Sequence, residues 1–257
     1  MRLAEALFGI NLADGYWKMY TIVIQLGAIL CLPVYFRERI RTLVRTFPRG
    51  EGGDRTVVDH PLSLTLIAFA FTAVPSLLLV KVIGKHLESL WVIGGALLIG
   101  GVVMWVVDKG FERPRTKTMD EMSLGQAIWV GACQTLSAVF PGLSRSMATI
   151  AAGQVAGMSR PAALEFSFFV SMPTMVAATG YDLYKSLRPG AENPLGAMHI
   201  DAHGWVLLAI GFVVSFVVAY GSVAWFMNWV RRHGFVPFAV YRIVLGIAVL
   251  GWAWGRA

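Results

Sequence analysis

Apolar runs of membrane-spanning length recur along this chain, and they limit it to one kind of fold. Leu62–Val80, Ser89–Val107 and Gly204–Val230 hold no charged residue, and Tyr20–Phe36 holds none either. Ala162–Tyr181 carries only Glu165, and Gly234–Gly255 carries only Arg242. A helix needs about 20 mainly apolar residues to cross a bilayer. These stretches therefore predict an all-α polytopic membrane protein with about six transmembrane helices. Charged residues make up 14% of the chain, against roughly 25% in soluble domains.

Two further apolar stretches, Gln126–Phe140 and Ser146–Met158, are each too short to span. Between them lies Pro141-Gly142-Leu143-Ser144-Arg145-Ser146. Pro and Gly end a helix, and Ser is a good N-cap for the next one. The two pieces read as a re-entrant helix pair broken by a polar turn. Such breaks are tolerated at membrane depth only when they pack in protein or line a cavity. An arginine there is costly and marks a substrate or ion site. At a helix N-terminus, a cation adds to the positive end of the helix dipole, which makes a site for an anion such as phosphate.

Charge in the loops sets the orientation. Arg37–His60 contains six arginines, and Asp108–Met122 contains Lys109, Arg113, Arg115 and Lys117. Arg231 and Arg232 separate the last two spans. By the positive-inside rule these stretches are cytoplasmic, and Lys81–Glu88, Lys185–His203 and the C-terminus face outward. The surplus of basic residues therefore speaks for the membrane and not for nucleic acid. Met1–Asn11 lacks the apolar core and cleavage site of a signal peptide. Trp17, Trp91, Trp105, Trp205, Trp225 and Trp229 lie near span ends, as an aromatic belt would.

The chain reads as one integral membrane domain over 1–257, with an internal repeat in inverted orientation. The first copy covers about 1–107 and the second about 124–257. Residues 1–39 read as a short amphipathic helix and a span, and 141–186 as a polar turn, a short helix and a span running the other way. Inverted repeats place binding sites near the midplane, at broken helices.

Candidate site residues follow from these placements. Arg145 offers a planar, multi-donor fork for a phosphate oxygen, or else satisfies carbonyls at the helix break. Ser144 and Ser146 can cap the following helix or bind phosphate. No base stands near them in sequence to make either a nucleophile. Thr149 lies one turn on, and Gly142 allows close backbone approach. Glu165 and Arg242, the sole charges of their spans, form a mutual ion pair, or else Arg242 is a second phosphate cation that Glu165 orients. Gln25 lines a cavity or bridges helices. Cys31 and Cys133 sit in apolar segments and read as small buried residues. No cysteine or histidine spacing suggests a metal site or disulfide framework.

Several stretches together resemble the bacterial undecaprenyl-pyrophosphate phosphatase family, the bacitracin-resistance phosphatases. They are Ile22–Ala28, Pro141–Thr149, Ala163–Phe168, Asp182–Lys185 and Pro237–Arg242. The resemblance implies six spans and two re-entrant pairs in inverted repeat, in the bacterial inner membrane. It implies hydrolysis of undecaprenyl diphosphate to the monophosphate carrier of cell-wall precursors, with bacitracin resistance as a consequence. It implies a divalent cation, Mg2+ or Ca2+, whose ligands in this chain are unknown, and a catalytic role for Arg145. Family members carry an N-terminal stretch with two glutamates and a Ser-Ser-Thr-x-His element, which supplies a nucleophile or base and metal ligands. Here that stretch aligns before Met1. The expectation is a coding sequence that starts upstream, with a truncated chain or an inactive lipid-diphosphate-binding homologue as alternatives. On physics alone a carrier moving a polyprenyl phosphate across the bilayer fits as well. The partners expected are the polyprenyl diphosphate lipid and the membrane, with a homodimer left open.

Overall fold

The computed structural model describes residues 15–79, 89–111, 113–187 and 201–255. The expected amphipathic helix at the N-terminus, the loop at Lys81–Glu88 and most of Lys185–His203 lie outside the described residues. What is described is helical. The helices are α1 (Gly15–Tyr35), α2 (Arg37–Thr46), α3 (Pro61–Leu78), α4 (Leu90–Gly110) and α5 (Leu124–Val139), followed by α6 (Arg145–Val155), α7 (Arg160–Leu187), α8 (Ala202–His233) and α9 (Val236–Trp254). Among the described residues α3, α4, α7, α8 and α9 are long and apolar enough to span. A sixth candidate is α1 with α2, which are separated by a break at Phe36. This is the multi-pass architecture expected from the apolar runs.

The chain forms two compact units. The first comprises the described residues of Met1–Arg37 and Thr174–Trp225. In it α1 and the first part of α8 run parallel. Tyr16 OH donates to Gly204 O at 3.3 Å, Ser215 Oγ to Ile24 O at 2.6 Å, and Tyr35 stacks edge-on with Tyr220. Both helices run toward arginine-rich segments, Arg37–His60 and Arg231–Arg232, which the positive-inside rule puts on one side, so parallel packing is expected. Gln25 belongs to this unit, half-buried on α1.

The second unit comprises Glu38–Pro173 and the described residues of Phe226–Ala257. It contains the broken pair. Helix α5 opens with a reciprocal cap: Ser123 Oγ accepts from Gln126 N, and Gln126 Oε1 accepts from Ser123 N. Its 16 residues rise roughly 24 Å, short of a full crossing. After the turn, α6 comes back. The segment that enters the pair is bonded to the segment that leaves it: Arg115 N and Thr116 N donate to Gly157 O, and Ser159 N donates to Thr116 O. Gln126 Nε2 adds bonds to Thr116 Oγ1 and Ala156 O. The pair thus returns to the side it left, and its base is stapled shut.

Helix α3 supports α5 through Thr72 Oγ1, which donates to Gly131 O at 2.9 Å. Helix α4 packs antiparallel to α9 at backbone range, since a Cβ on Gly246 would stand 2.7 Å from Leu98 N. Small residues that let backbones approach are the usual glue between helices in lipid, where the hydrophobic effect does not drive association.

Candidate functional site

The turn at the tip of the pair is shaped by two glycine contacts. Gly142 has φ +96°, and a Cβ there would lie 2.6 Å from Ile93 O on α4. Only glycine fits that backbone and that space. Ile93 stands 17 residues before Gly110, the cytoplasmic end of α4, or roughly 25 Å along the helix axis. With Gly110 on the cytoplasmic side, as the loop charges predict, that distance corresponds to the outer half of an apolar layer about 30 Å thick. Gly100 is the second contact. A Cβ on it would meet Met147 Cε at 2.6 Å and both Arg242 Nη2 and Leu143 Cδ1 at 3.0 Å. Its bare backbone is what lets Arg242 reach the turn.

Ser144 is the N-cap of α6, with Oγ accepting from Met147 N at 3.4 Å. The cap leaves the Arg145 and Ser146 amides at the first helical positions, where no intrahelical acceptor exists. Arg145 is exposed, and among the described residues its guanidinium has neither a hydrogen-bond partner nor a carboxylate. Arg242, half-buried on α9, donates from Nη2 to Gly142 O at 2.9 Å. Its Nε is buried with no acceptor. Two cations, two open amides and the Ser146 hydroxyl thus belong to one turn and its immediate support.

One of the alternatives read from the sequence is excluded by the ion pairs, and Thr149 is engaged within the fold. Glu165 and Arg242 do not pair with each other. Glu165 Oε1 accepts from Arg39 Nε at 2.8 Å, and Arg39 also bonds Asp120. Glu165 therefore belongs to the cytoplasmic base of the unit. Thr149 is buried, and its hydroxyl is engaged. It bonds the Arg145 and Ser146 carbonyls and shares a 2.7 Å bond with Ser167 Oγ on α7. In this arrangement Thr149 ties α6 to α7.

Sequence reasoning missed the residues that hold the base. Asp108, 1% exposed, accepts from Arg160 Nε at 2.7 Å and from Phe235 N at 3.0 Å, joining α4, α7 and the start of α9. Arg55 donates to Asp59 O and Met122 O and also bonds Asp120 O. The one available signal was the Ser-x-x-Gln spacing at Ser123–Gln126, which marks a capping box.

The resemblance implies a divalent cation. Among the described residues no group of three His, Cys, Asp or Glu side chains could hold a metal ion. The turn offers cations and hydroxyls, which suit an anion and repel a metal, so the described residues do not fit the cation.

The match with known proteins is extensive. The model of the family described as bacitracin resistance protein BacA matches residues 1–248. The chain belongs to the bacitracin resistance protein BacA family. It is similar to a protein of Koribacter versatilis named undecaprenyl-diphosphatase, at 64% identity over 100% of this chain and 91% of the relative. A protein of Bradyrhizobium sp. strain BTAi1 with the same name is 38% identical, covering 95% of this chain and 85% of its own. A third, from Caldanaerobacter subterraneus subsp. tengcongensis, is 37% identical over 94% and 83%.

Proposed function

We propose that this chain is an integral-membrane undecaprenyl-diphosphate phosphatase of the bacterial inner membrane. It returns the lipid carrier to the monophosphate form for cell-wall synthesis and so confers bacitracin resistance. The observation that carries this reading is the absence of counter-charge at the turn. Arg145 and Arg242 stand there with no carboxylate among the described residues, beside a helix N-terminus that itself favours anions. Buried or membrane-depth cations are ordinarily paired, and the same unit pairs Arg39 and Arg160. A diphosphate supplies the missing negative charge. The names of the relatives agree with that head group.

In the reaction a water oxygen bonds to the terminal phosphorus, and the bond from that phosphorus to the bridging oxygen breaks. Inorganic phosphate and undecaprenyl phosphate result, the latter leaving with the bridging oxygen and its electron pair. Phosphoryl transfer depends mainly on positioning and on stabilising charge. The Arg145 fork and the α6 amides hold non-bridging oxygens, and Arg242 fixes the turn carbonyl while adding positive charge beside it. No acid or imidazole stands at the described turn, so these residues bind the head group and stabilise its charge. The depth of Ile93 along α4 supports a head group on the outer side of the membrane. The test is phosphate release from undecaprenyl diphosphate by the purified protein in detergent, compared with Arg145→Ala. Release by the wild type and a loss of at least a hundredfold in the variant are expected. No release from the wild type overturns the reading.

A further inference from the structure

Beside the cationic turn lies a groove of about 580 Å3, walled by α4, α5 and α6. Its lining includes Ala96 and Ile99 from α4, Trp129 and Cys133 from α5, Leu143 from the turn and Ala151 from α6. Every lining side chain is apolar or only weakly polar. The indole N–H of Trp129 is already spent on Ala152 O, at 3.2 Å. The volume exists because α4 and α6 turn small side chains, Ala96 and Ala151 among them, toward the space. It falls in the range of ligand sites, roughly 300–1,000 Å3. Ile99 and Trp129 are well exposed, so the groove opens sideways as well as toward the turn. Leu143 belongs both to the groove wall and to the six-residue polar turn.

We propose that this groove seats the first prenyl units of the substrate's lipid chain, so that it reads the chain while the turn reads the head group. The assignment rests on the reading of the turn as the diphosphate site. One end of the groove is flanked by two cations and a helix N-terminus, and the rest is dry. Its ligand is therefore an anion carrying a bulky apolar chain. Because bilayer lipid is as apolar as the groove, burial there yields almost no transfer free energy. Recognition is by shape: a branched prenyl chain fills a broad trough that a straight acyl chain fills poorly. Obstructing the groove then does more harm than trimming its walls.

Cys133 reports occupancy directly. With Cys31 replaced by alanine it is the sole thiol, and a membrane-permeant maleimide reads its access in detergent. Undecaprenyl phosphate should slow labelling at least tenfold, whereas inorganic phosphate should not, and Arg145→Ala should remove most of the protection. Unchanged labelling with undecaprenyl phosphate, while the wild type still hydrolyses the diphosphate, overturns the groove and leaves the function standing. Equal protection by undecaprenol, unaffected by Arg145→Ala, keeps the groove and overturns the head-group reading. Equal protection by a straight-chain phosphatidic acid overturns prenyl recognition. Independently, Ala151→Phe and Ala96→Phe fill the groove from opposite walls. Each should lower kcat/KM for undecaprenyl diphosphate by about tenfold relative to dimethylallyl diphosphate, whose single prenyl unit leaves most of the groove empty. An unchanged ratio in both variants overturns the proposal.

Discussion

Arg39 and Arg160, at the cytoplasmic base of the re-entrant pair, close on Glu165, Asp120 and Asp108. Arg145 and Arg242, at its tip, close on one backbone carbonyl between them. The base lies toward water, where unpaired arginines would cost little, yet there they are neutralised. The tip lies at membrane depth, where pairing would relieve most, yet there positive charge is left over. Stability alone predicts the reverse. The base is held together by its charges, and the tip keeps its charges for something that arrives from outside.

Breaking this contrast at the tip should have the largest effect. Arg145→Ala is expected to cut phosphate release a hundred- to a thousandfold, as loss of one charge-stabilising donor does elsewhere. The melting temperature should barely change, because no protein partner is lost. A large fall in melting temperature would make Arg145 a structural residue. At the base the pattern inverts. Arg160→Ala strands the buried Asp108 carboxylate and should cost about 3 kcal/mol of stability, toward the low end for such stranding. Chemical denaturation in micelles measures it, and activity per folded molecule should survive. Asp108→Asn with Arg160→Gln should recover much of the loss.

Gly142→Ala sharpens the comparison from the backbone side. The positive φ costs an L-residue about 1–2 kcal/mol, and the added Cβ meets Ile93 O. The turn must shift, and the activity loss should exceed the stability loss. The smallest effect concerns His60, the buried N-cap of α3. Its Nδ1 accepts from Leu62 N, and its Nε2 faces Thr46 Oγ1. Burial holds its pKa below the ordinary value. The unfolded chain thus takes up the proton first, near pH 6.5, so stability is full above that pH and declines as pH falls through it toward the folded pKa. Melting curves from pH 7.5 to 5.5 should show that decline, and His60→Asn, which keeps a cap, should flatten it.

The spans, the broken pair and the capped polar turn were legible because each is local. Runs without charge need no partner to be recognised, and Pro141-Gly142 followed by Ser144 announces a stop and a cap. Which charges meet was not legible. Glu165 and Arg242 are each alone in an apolar span, and sequence alone makes them natural partners. The fold instead brings Glu165 to Arg39, 126 residues away. Asp108 was hidden for the same reason: its partners Arg160 and Phe235 come from two distant segments. Nor did the sequence reveal the groove, since alanines at Ala96 and Ala151 look like ordinary helix filler until three helices converge.

The bond from Arg242 to Gly142 spans 100 residues of chain. At a synthesis rate of roughly 5–20 residues per second, the turn emerges some 5–20 s before the arginine that braces it. During that interval the stapled pair holds a polar tip with no support from α9. The site is therefore completed last in the life of the nascent chain, and any product cut short before α9 carries the motif without its brace.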